Sequence, residues 1–283
     1  MTYAEWYTKY LQVYKRNLAP KTRESYDQVS AAYILPAVGV LQLEDVTPEH
    51  VQEAVNAAAD RGGRQAQIVY AVIHAVMRRA YRSRLIPFNP ADAVDRPVHD
   101  QEQGKALSAA DLAEAEPLIL DDLALSLALY AGLRRGEICG LQWQDVDLKG
   151  GVLRIRRQRC RAGGDLITKS PKSRAGVRDV PISAELLPLL KAAFRIAPHD
   201  WVVDVAPEAI TRRWSKLQKQ LAMEDQYRLH DLRHTYGSRL VLDGVNLRVV
   251  QYLMGHSKID VTMRVYSHCR ASDAQRELKR VYG

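Results

Sequence analysis

A polar, proline-bearing stretch from Asn89 to Gly104 divides the chain into two parts and so limits the folds available to it. Before this stretch, hydrophobic residues recur at helical spacing. After it, helical segments flank one interval that alternates as β-strands do. A chain of 283 residues is long enough for two domains. We therefore predict one domain over residues 1–97, a linker over 98–104 and a second domain over 105–283.

Residues 1–97 carry helix signals and predict a compact bundle of four or five short helices. The segments are Trp6–Tyr14 after a Thr2/Glu5 capping box, a helix with Pro20 in its first turn, a helix from Pro48 to about Ala59, and Gln65–Arg82.

The second part predicts helices and a small antiparallel sheet. Val152 to Arg161 alternates apolar and basic residues, and Gly163-Gly164-Asp165 follows as a turn. Leu166–Thr168 and Val177–Ile182 are the further predicted strands, and helices resume at Ala184. The expected fold class is mainly α, of α+β type, with a helical bundle first and a mixed domain second.

Charge is distributed unevenly between the two parts. Residues 1–104 carry 12 Lys and Arg against 12 Asp and Glu, so the whole net charge of +8 lies in residues 105–283. The interval from Lys149 to Arg178 alone holds ten basic residues and one acid, Asp165. A basic second domain favours a polyanionic partner such as nucleic acid, and a solvated basic surface is the simpler alternative.

Membrane and secretory classes find no support in the sequence. No run of 18 apolar residues occurs, and the start lacks a basic segment followed by an apolar one. Cys139, Cys160 and Cys269 are far apart and odd in number, which is typical of reduced structural thiols. We expect a cytoplasmic protein, associated with the nucleoid where its DNA lies.

Three short clusters rich in Arg and His precede a tyrosine near the end of the chain. The clusters are Ala131–Glu137, His230–Arg233 and Gly255–Ser257, and the tyrosine is Tyr266. Arginine forks bind phosphate and its pentavalent transition state, and histidines move protons. A tyrosine hydroxyl attacks phosphorus and holds it covalently. These residue types together favour phosphoryl transfer by side chains alone.

In their order along the chain, these residues resemble the tyrosine recombinase family, also called phage integrases. The family pattern is Gly-Leu-Arg-x-x-Glu, a lysine on a hairpin, His-x-x-Arg, Gly-His and Tyr, and every element occurs here in that order. The resemblance covers nearly the whole chain. It implies an N-terminal SAM-like core-binding domain, a C-terminal catalytic domain, and a site-specific recombinase that needs no metal, cofactor or ATP.

The resemblance implies phosphate-binding roles for three residues and a supporting role for a fourth. Arg134 and Arg233 are expected to bind the scissile phosphate, with Glu137 steadying the structure around Arg134. His256 is expected to donate a hydrogen bond to a nonbridging phosphate oxygen. Taken singly, Arg134 and Glu137 fit a surface ion pair three residues apart, and His256 fits a helix-capping or core histidine.

Covalent chemistry and proton transfer are assigned to three more residues by the same resemblance. Tyr266 is the expected nucleophile, and His230 is expected to handle its proton or to stabilise the transition state. Lys172 is the expected general acid for the leaving 5′ oxygen. Lys169 and Arg174 lie within three residues of Lys172 and compete for that role.

A metal site is the main rival for the His230 cluster. His230 and His234 fit the spacing of two imidazole ligands one helical turn apart, and His256 or His268 would supply a third ligand. An arginine beside a dication is unfavourable, however, and a metal site leaves Tyr266 unexplained. We therefore expect His234 to have a packing role and the chain to bind no metal.

Two further alternatives share the DNA-binding character. A type IB topoisomerase uses the same phosphotyrosine chemistry, but the helical first domain and the position of His256 favour a recombinase. A silent DNA-binding regulator would not need Tyr266 or His230. Arg264 departs from the family pattern, which often has threonine or a small residue there, and this puts no catalytic role in doubt.

The resemblance also implies partners. They are double-stranded DNA at attachment sites, a homo-tetramer on two such sites, and an accessory directionality factor that the sequence does not reveal; no membrane partner is expected. The tail Ala271–Gly283 is the candidate segment passed between protomers, and an intramolecular cap is the alternative. Many phage integrases begin with an arm-binding domain, so a chain that begins with the core-binding bundle is expected to be of a simpler type or truncated.

Overall fold

The computed structural model describes residues 1–99, 104–171, 173–196, 200–223 and 225–258. The chain forms two compact units, Met1–Glu102 and Gln103–Gly283. Each unit has a hydrophobic core of its own. None of the described helices is both long and apolar enough to cross a bilayer.

The first unit is built from helices joined by short turns, as the hydrophobic spacing predicts. Its helices are α1 (Tyr3–Val13), α2 (Pro20–Val29), α3 (Leu35–Val38), α4 (Pro48–Ala59) and α5 (Gly63–Arg82). The first helix begins at Tyr3, three residues before the predicted start, because Thr2 and Glu5 cap it reciprocally. The Thr2 backbone N–H donates to the Glu5 carboxylate at 2.9 Å, and the Glu5 N–H donates to the Thr2 hydroxyl at 3.3 Å.

One face of α5 forms the centre of this unit. Besides two alanines, five larger apolar side chains on this face are at most 1% exposed: Val69, Val72, Ile73, Val76 and Met77. The indole of Trp6 on α1 is also buried and donates to the Val76 carbonyl at 3.1 Å. Full burial of each such side chain contributes about 2 kcal/mol, so packing against α5 holds the shorter helices in place.

The second unit is mainly helical and contains short strands. Its helices are α6 (Ala109–Leu120), α7 (Leu123–Tyr130), α8 (Arg135–Gly140), α9 (Leu186–Arg195), α10 (Pro207–Gln220), α11 (Leu229–Leu242) and α12 (Leu247–Met254). Helix α7 is mostly apolar, and residues 124–130 are all buried, so the helix is enclosed on every side. It is the central helix of this unit.

Within the described residues, the strands form two small antiparallel sheets rather than the single predicted one. They are β1 (Val146–Asp147), β2 (Val152–Ile155), β3 (Gln158–Ala162), β4 (Asp165–Lys169) and β5 (Arg178–Pro181). One sheet has the order β1-β2-β5, with Leu153 opposite Val180, and the other is the β3-β4 hairpin, with Cys160 opposite Ile167. The prediction of one strand from Val152 to Arg161 is therefore wrong, and β1 was missed.

The predicted strand breaks at Arg156 and Arg157 because its two halves have different packing partners. The Arg156 guanidinium donates to the Arg178 carbonyl at 3.0 Å, which holds the first half to β5. The second half passes over α8, where an added Cβ on Gly140 would lie 2.7 Å from the Gln158 Cα. Alternation of residue types along the sequence does not register such a change of partner.

Candidate active site

Arg134 and Glu137 contact each other at the start of α8. Arg134 is the N-cap residue, and its backbone N–H donates to Glu137 Oε2 at 3.0 Å. Its Nη1 donates to Glu137 Oε1 at 2.8 Å. The Glu137 side chain is only 2% exposed, so the pair is not the surface ion pair that spacing alone allows. The carboxylate fixes both the backbone and the guanidinium of Arg134.

Glu137 also binds a second arginine, Arg178, which the sequence argument did not single out. Arg178 Nη2 and Nη1 donate to the two carboxylate oxygens at 3.0 and 3.2 Å, and both side chains are buried. Burial acts to raise the pKa of Glu137, but attraction and hydrogen bonds from Arg178, with attraction from Arg134 and Arg233, lower it to about 2. Glu137 is therefore ionised at every physiological pH.

Arg233 lies in the first turns of α11 and is 1% exposed. Its Nη1 donates to the Gly132 carbonyl and its Nη2 donates to the Met254 carbonyl. A buried guanidinium held at two of its nitrogens has few rotamers available. Its position is thus set before any ligand arrives.

The last turn of α12 is the common partner of the three arginines. Arg178 Nε donates to the Leu253 carbonyl at 2.7 Å, Arg233 to the Met254 carbonyl, and Arg134 Nη2 to the Gly255 carbonyl at 2.9 Å. Carbonyls at a helix C-terminus lack intrahelical donors and carry partial negative charge, which favours cations there. Three consecutive carbonyls therefore gather three guanidinium groups at one place.

Gly255 ends α12 in the left-handed conformation, with φ 58° and ψ 41°. Its N–H donates to the Tyr252 carbonyl at 2.9 Å, and the His256 N–H donates to the Gln251 carbonyl at 3.1 Å. These two bonds make a Schellman cap. The cap turns the chain so that His256 follows directly on the carbonyls that the arginines bind.

His256 is 8% exposed and is surrounded by cations. Burial, then the positive charges of Arg233 and Arg134, lower its pKa to about 3. The imidazole is therefore neutral at pH 7, with one N–H to donate. The Gln251 side chain donates to the His256 carbonyl at 3.1 Å, which ties the residue back to α12.

His230 lies one turn before Arg233 on α11. Burial of its ring, followed by the charges of Arg233, His234, Arg134 and His256, lowers its pKa below the usual 6.5. The residue as a whole still retains solvent access. His230 is therefore a neutral imidazole at pH 7 that solvent or a ligand reaches.

His234 packs behind His230. The two rings meet edge to face, with centroids 4.9 Å apart, and a methyl group added at Gly104 would overlap the His234 ring. Among the residues that the structure describes, no three His, Cys, Asp or Glu side chains are arranged to hold a metal ion. His268, one of the two candidates for a third ligand, lies outside those residues.

Four of the six candidate catalytic residues are therefore described, and they lie together: Arg134, His230, Arg233 and His256. The other two, Lys172 and Tyr266, lie outside the described residues, as do Arg264 and the tail Ala271–Gly283. The sequence argument missed Arg178. Its one signal was position, because Arg178 and Val180 are the inward-facing residues of β5, where a charged side chain requires a buried partner.

The basic interval from Lys149 to Arg178 is less exposed and more neutralised than its composition suggests. Six of its arginines are paired with carboxylates, namely Arg154, Arg156, Arg157, Arg159, Arg161 and Arg178. Exposed cations also occur on α10, where Arg212, Lys216 and Lys219 face solvent opposite the buried Trp214. The structure thus places part of the positive surface on a helix outside the interval.

Comparison with known proteins assigns both parts of the chain to one protein family. The phage integrase family matches residues 99–273, and the N-terminal SAM-like domain of phage integrases matches residues 2–58. A putative prophage phiRv2 integrase of Mycobacterium tuberculosis is 28% identical over 292 aligned residues, covering 98% of this chain and 76% of the relative.

Solved structures share the fold. The integrase of transposon Tn1549, in complex with a circular intermediate DNA, matches with a TM-score of 0.86 at 21% identity over 99% of both chains. A lambda integrase tetramer bound to a Holliday junction matches with a TM-score of 0.73 at 20% identity, covering 94% of this chain and 77% of that one.

Proposed function

The chain belongs to the phage integrase family of site-specific tyrosine recombinases, and on that premise we propose that it cleaves and rejoins DNA through a phosphotyrosine at Tyr266. The observation that carries the proposal is the convergence of Arg134, Arg233 and His256 at the last turn of α12. Two guanidinium groups and an imidazole N–H suit the equatorial oxygens of a pentavalent phosphorane. Binding DNA alone does not require this arrangement.

In the proposed first step, the Tyr266 oxygen attacks the scissile phosphorus. A bond forms between that oxygen and phosphorus, and the bond from phosphorus to the 5′ oxygen breaks. The products are a 3′-phosphotyrosine and a free 5′ hydroxyl. A 5′ hydroxyl of the partner duplex reverses the step and exchanges the strands. Because the phosphotyrosine retains the bond energy, neither ATP nor a metal ion is needed.

Two residues move the protons in this scheme. His230 accepts the phenolic proton or stabilises the transition state. As an imidazole that is neutral at pH 7, it has one ring nitrogen that can accept a proton and one N–H that can donate. Lys172 donates a proton to the leaving 5′ oxygen. Lys169 and Arg174 remain alternatives for this role. Alanine variants at the three positions separate them on a substrate with a 5′-thiol leaving group, which departs without a proton. Only the variant that lacks the general acid should recover its cleavage rate on this substrate.

The two parts of the chain divide the binding of DNA in this proposal. Residues 1–97 form the core-binding domain, 98–104 the linker and 105–283 the catalytic domain. The exposed cations of α10 and a cluster on the first unit formed by Lys15, Arg78, Arg79 and Arg82 beside Tyr10 and Tyr14 supply phosphate contacts. The protein acts on nucleoid DNA in the cytoplasm.

The working assembly is proposed to be a homo-tetramer on two attachment sites of a mobile element, joined by an accessory directionality factor. The lambda integrase tetramer on a Holliday junction supports this stoichiometry by likeness of fold. The tail Ala271–Gly283 is the proposed segment that passes between protomers.

The test is a nicked suicide duplex carrying an attachment site, incubated in EDTA with wild type and with Tyr266→Phe. Wild type should form a covalent protein–DNA band, and the variant should form none. DNA binding without a covalent band for either protein, on several sites, would favour a silent DNA-binding regulator. Cleavage that survives Tyr266→Phe and stops only with chelator would return the metal interpretation of His230 and His234.

A further inference from the structure

Arg178 is the most enclosed charged side chain of the site. Its side chain is 0% exposed. Its nitrogens donate to both Glu137 oxygens, to the Leu253 carbonyl at 2.7 Å and to the Gly176 carbonyl at 3.2 Å. One guanidinium therefore joins three segments of the second unit that are distant in sequence.

Two of those segments, the ones that contain Glu137 and Leu253, lead to residues of the proposed catalytic set. Glu137 holds Arg134. Leu253 lies three residues before His256, in the helical turn whose carbonyls Arg134 and Arg233 also bind. Since Arg178 is fully buried, it cannot itself contact a DNA phosphate. Any effect it has on catalysis must pass through its neighbours.

We propose that Arg178 is a positioning residue for DNA cleavage, which acts through Glu137 and the last turn of α12 to hold Arg134 and His256 in place for the phosphorane. This inference rests on the proposed function. The Glu137 carboxylate accepts hydrogen bonds from two arginines, Arg134 and Arg178. Without Arg178, both carboxylate oxygens turn to Arg134 and draw its guanidinium away from the phosphate.

The geometry requires arginine rather than any cation. The planar fork reaches both carboxylate oxygens while Nε points to the Leu253 carbonyl. A lysine ammonium carries the same charge at a single point and cannot span these acceptors. Arg178→Lys therefore keeps the positive charge opposite Glu137 and loses the link to α12, whereas Arg178→Met loses both.

The experiment compares these two variants with wild type and with Arg239→Met on the suicide duplex. Arg239 is a matched control, because it is an arginine of the same unit paired with a carboxylate, Glu116, but exposed. Covalent-complex formation is timed at saturating DNA, DNA affinity is measured separately, and circular dichroism reports folding. We expect Arg178→Lys to slow cleavage by roughly ten- to a hundredfold with DNA affinity within about threefold of wild type, since small misplacements have effects of this order. Arg239→Met should match wild type.

A second substrate separates positioning from damage to the fold. Replacing a nonbridging oxygen of the scissile phosphate by methyl removes the charge that Arg134 and His256 stabilise. The ratio of wild-type to Arg178→Lys rates should therefore shrink on this methylphosphonate. An equal ratio on both substrates, or a wild-type rate for Arg178→Lys, would overturn the inference. If Arg178→Met does not fold, the cleavage rates of Arg178→Lys alone test the positioning role. A wild type that forms no covalent complex would overturn the proposed function itself.

Discussion

Replacing Glu137 by glutamine tests whether one buried carboxylate holds the arginine cluster together. The change keeps the shape of the side chain and removes the negative charge between Arg134 and Arg178. Removing one partner of a buried ion pair costs about 3–5 kcal/mol, because the other charge stays buried without compensation. We expect a loss of that order in the free energy of unfolding at pH 7.

Acid provides an independent measure of the same interaction. The pKa of Glu137 is about 2 in the folded protein against a reference of 4.5, so the unfolded chain takes up the proton first as pH falls. The associated stability, about 3 kcal/mol, is present above pH 4.5 and lost on acidification, by about 1 kcal/mol at pH 4 and about 2 kcal/mol at pH 3. The difference in free energy of unfolding between wild type and Glu137→Gln should decrease by these amounts at the same pH values.

Urea denaturation at pH 7, 5 and 4, followed by tryptophan fluorescence, measures both effects, since Trp143, Trp201 and Trp214 lie in the second unit. Glu114→Gln, which removes an exposed carboxylate from α6 of that unit, is the control and should change stability little. A loss below about 1 kcal/mol at pH 7, with acid dependence parallel to wild type, would refute the account of Glu137 as the central counter-charge.

Three further outcomes are expected. Gly255→Ala should destabilise the second unit more than Gly151→Ala in thermal melts: both glycines have positive φ, which costs an alanine about 1–2 kcal/mol, but only at Gly255 would the new methyl lie 2.9 Å from an Arg178 nitrogen. Equal losses of stability for the two variants would show that contact with Arg178 adds nothing at Gly255. In the DNA-free protein the His256 ring should stay neutral from pH 8 to pH 5 by NMR, and a titration near pH 6.5 would show that neither burial nor the arginines lower its pKa. Thr47→Ala should lower stability by about 1 kcal/mol and speed amide exchange at the start of α4, because its hydroxyl caps that helix; unchanged exchange would exclude the cap.

Local features of this fold were predictable from the sequence, and features set by distant contacts were not. The cap at Thr2 and the proline at the start of α4 act within one turn, so helices begin there whatever lies around them. The break at Arg156 depends instead on β5, 22 residues away. Alternating residues predict a strand but not the sheet that it joins.

The same distinction holds for the site. The ordered motifs predicted Arg134, Arg233 and His256 as candidates because the family pattern is a pattern of sequence order, and the structure places the three residues together. Arg178 carries no such mark: its partners Glu137 and Leu253 are 41 and 75 residues away. Only the fold brings these groups together. The sequence also predicted that Glu137 steadies Arg134 but not that it serves a second arginine.

The cluster explains why its histidines stay neutral and why a phosphate would fit beside them. Three arginines face one carboxylate, Glu137, and the excess positive charge is offset in part by the carbonyl dipoles at the end of α12. Burial, and after it this excess positive charge, makes protonation of His256 unfavourable and so lowers its pKa. The same positive potential would stabilise a dianionic phosphorane, because the phosphorane carries the opposite charge. The guanidinium groups of Arg134 and Arg233, which we propose stabilise it, are already fixed by backbone carbonyls, so little reorganisation would be required when charge develops. The three arginines repel one another because they carry the same charge. The carbonyls at the end of α12 therefore hold them together in this site.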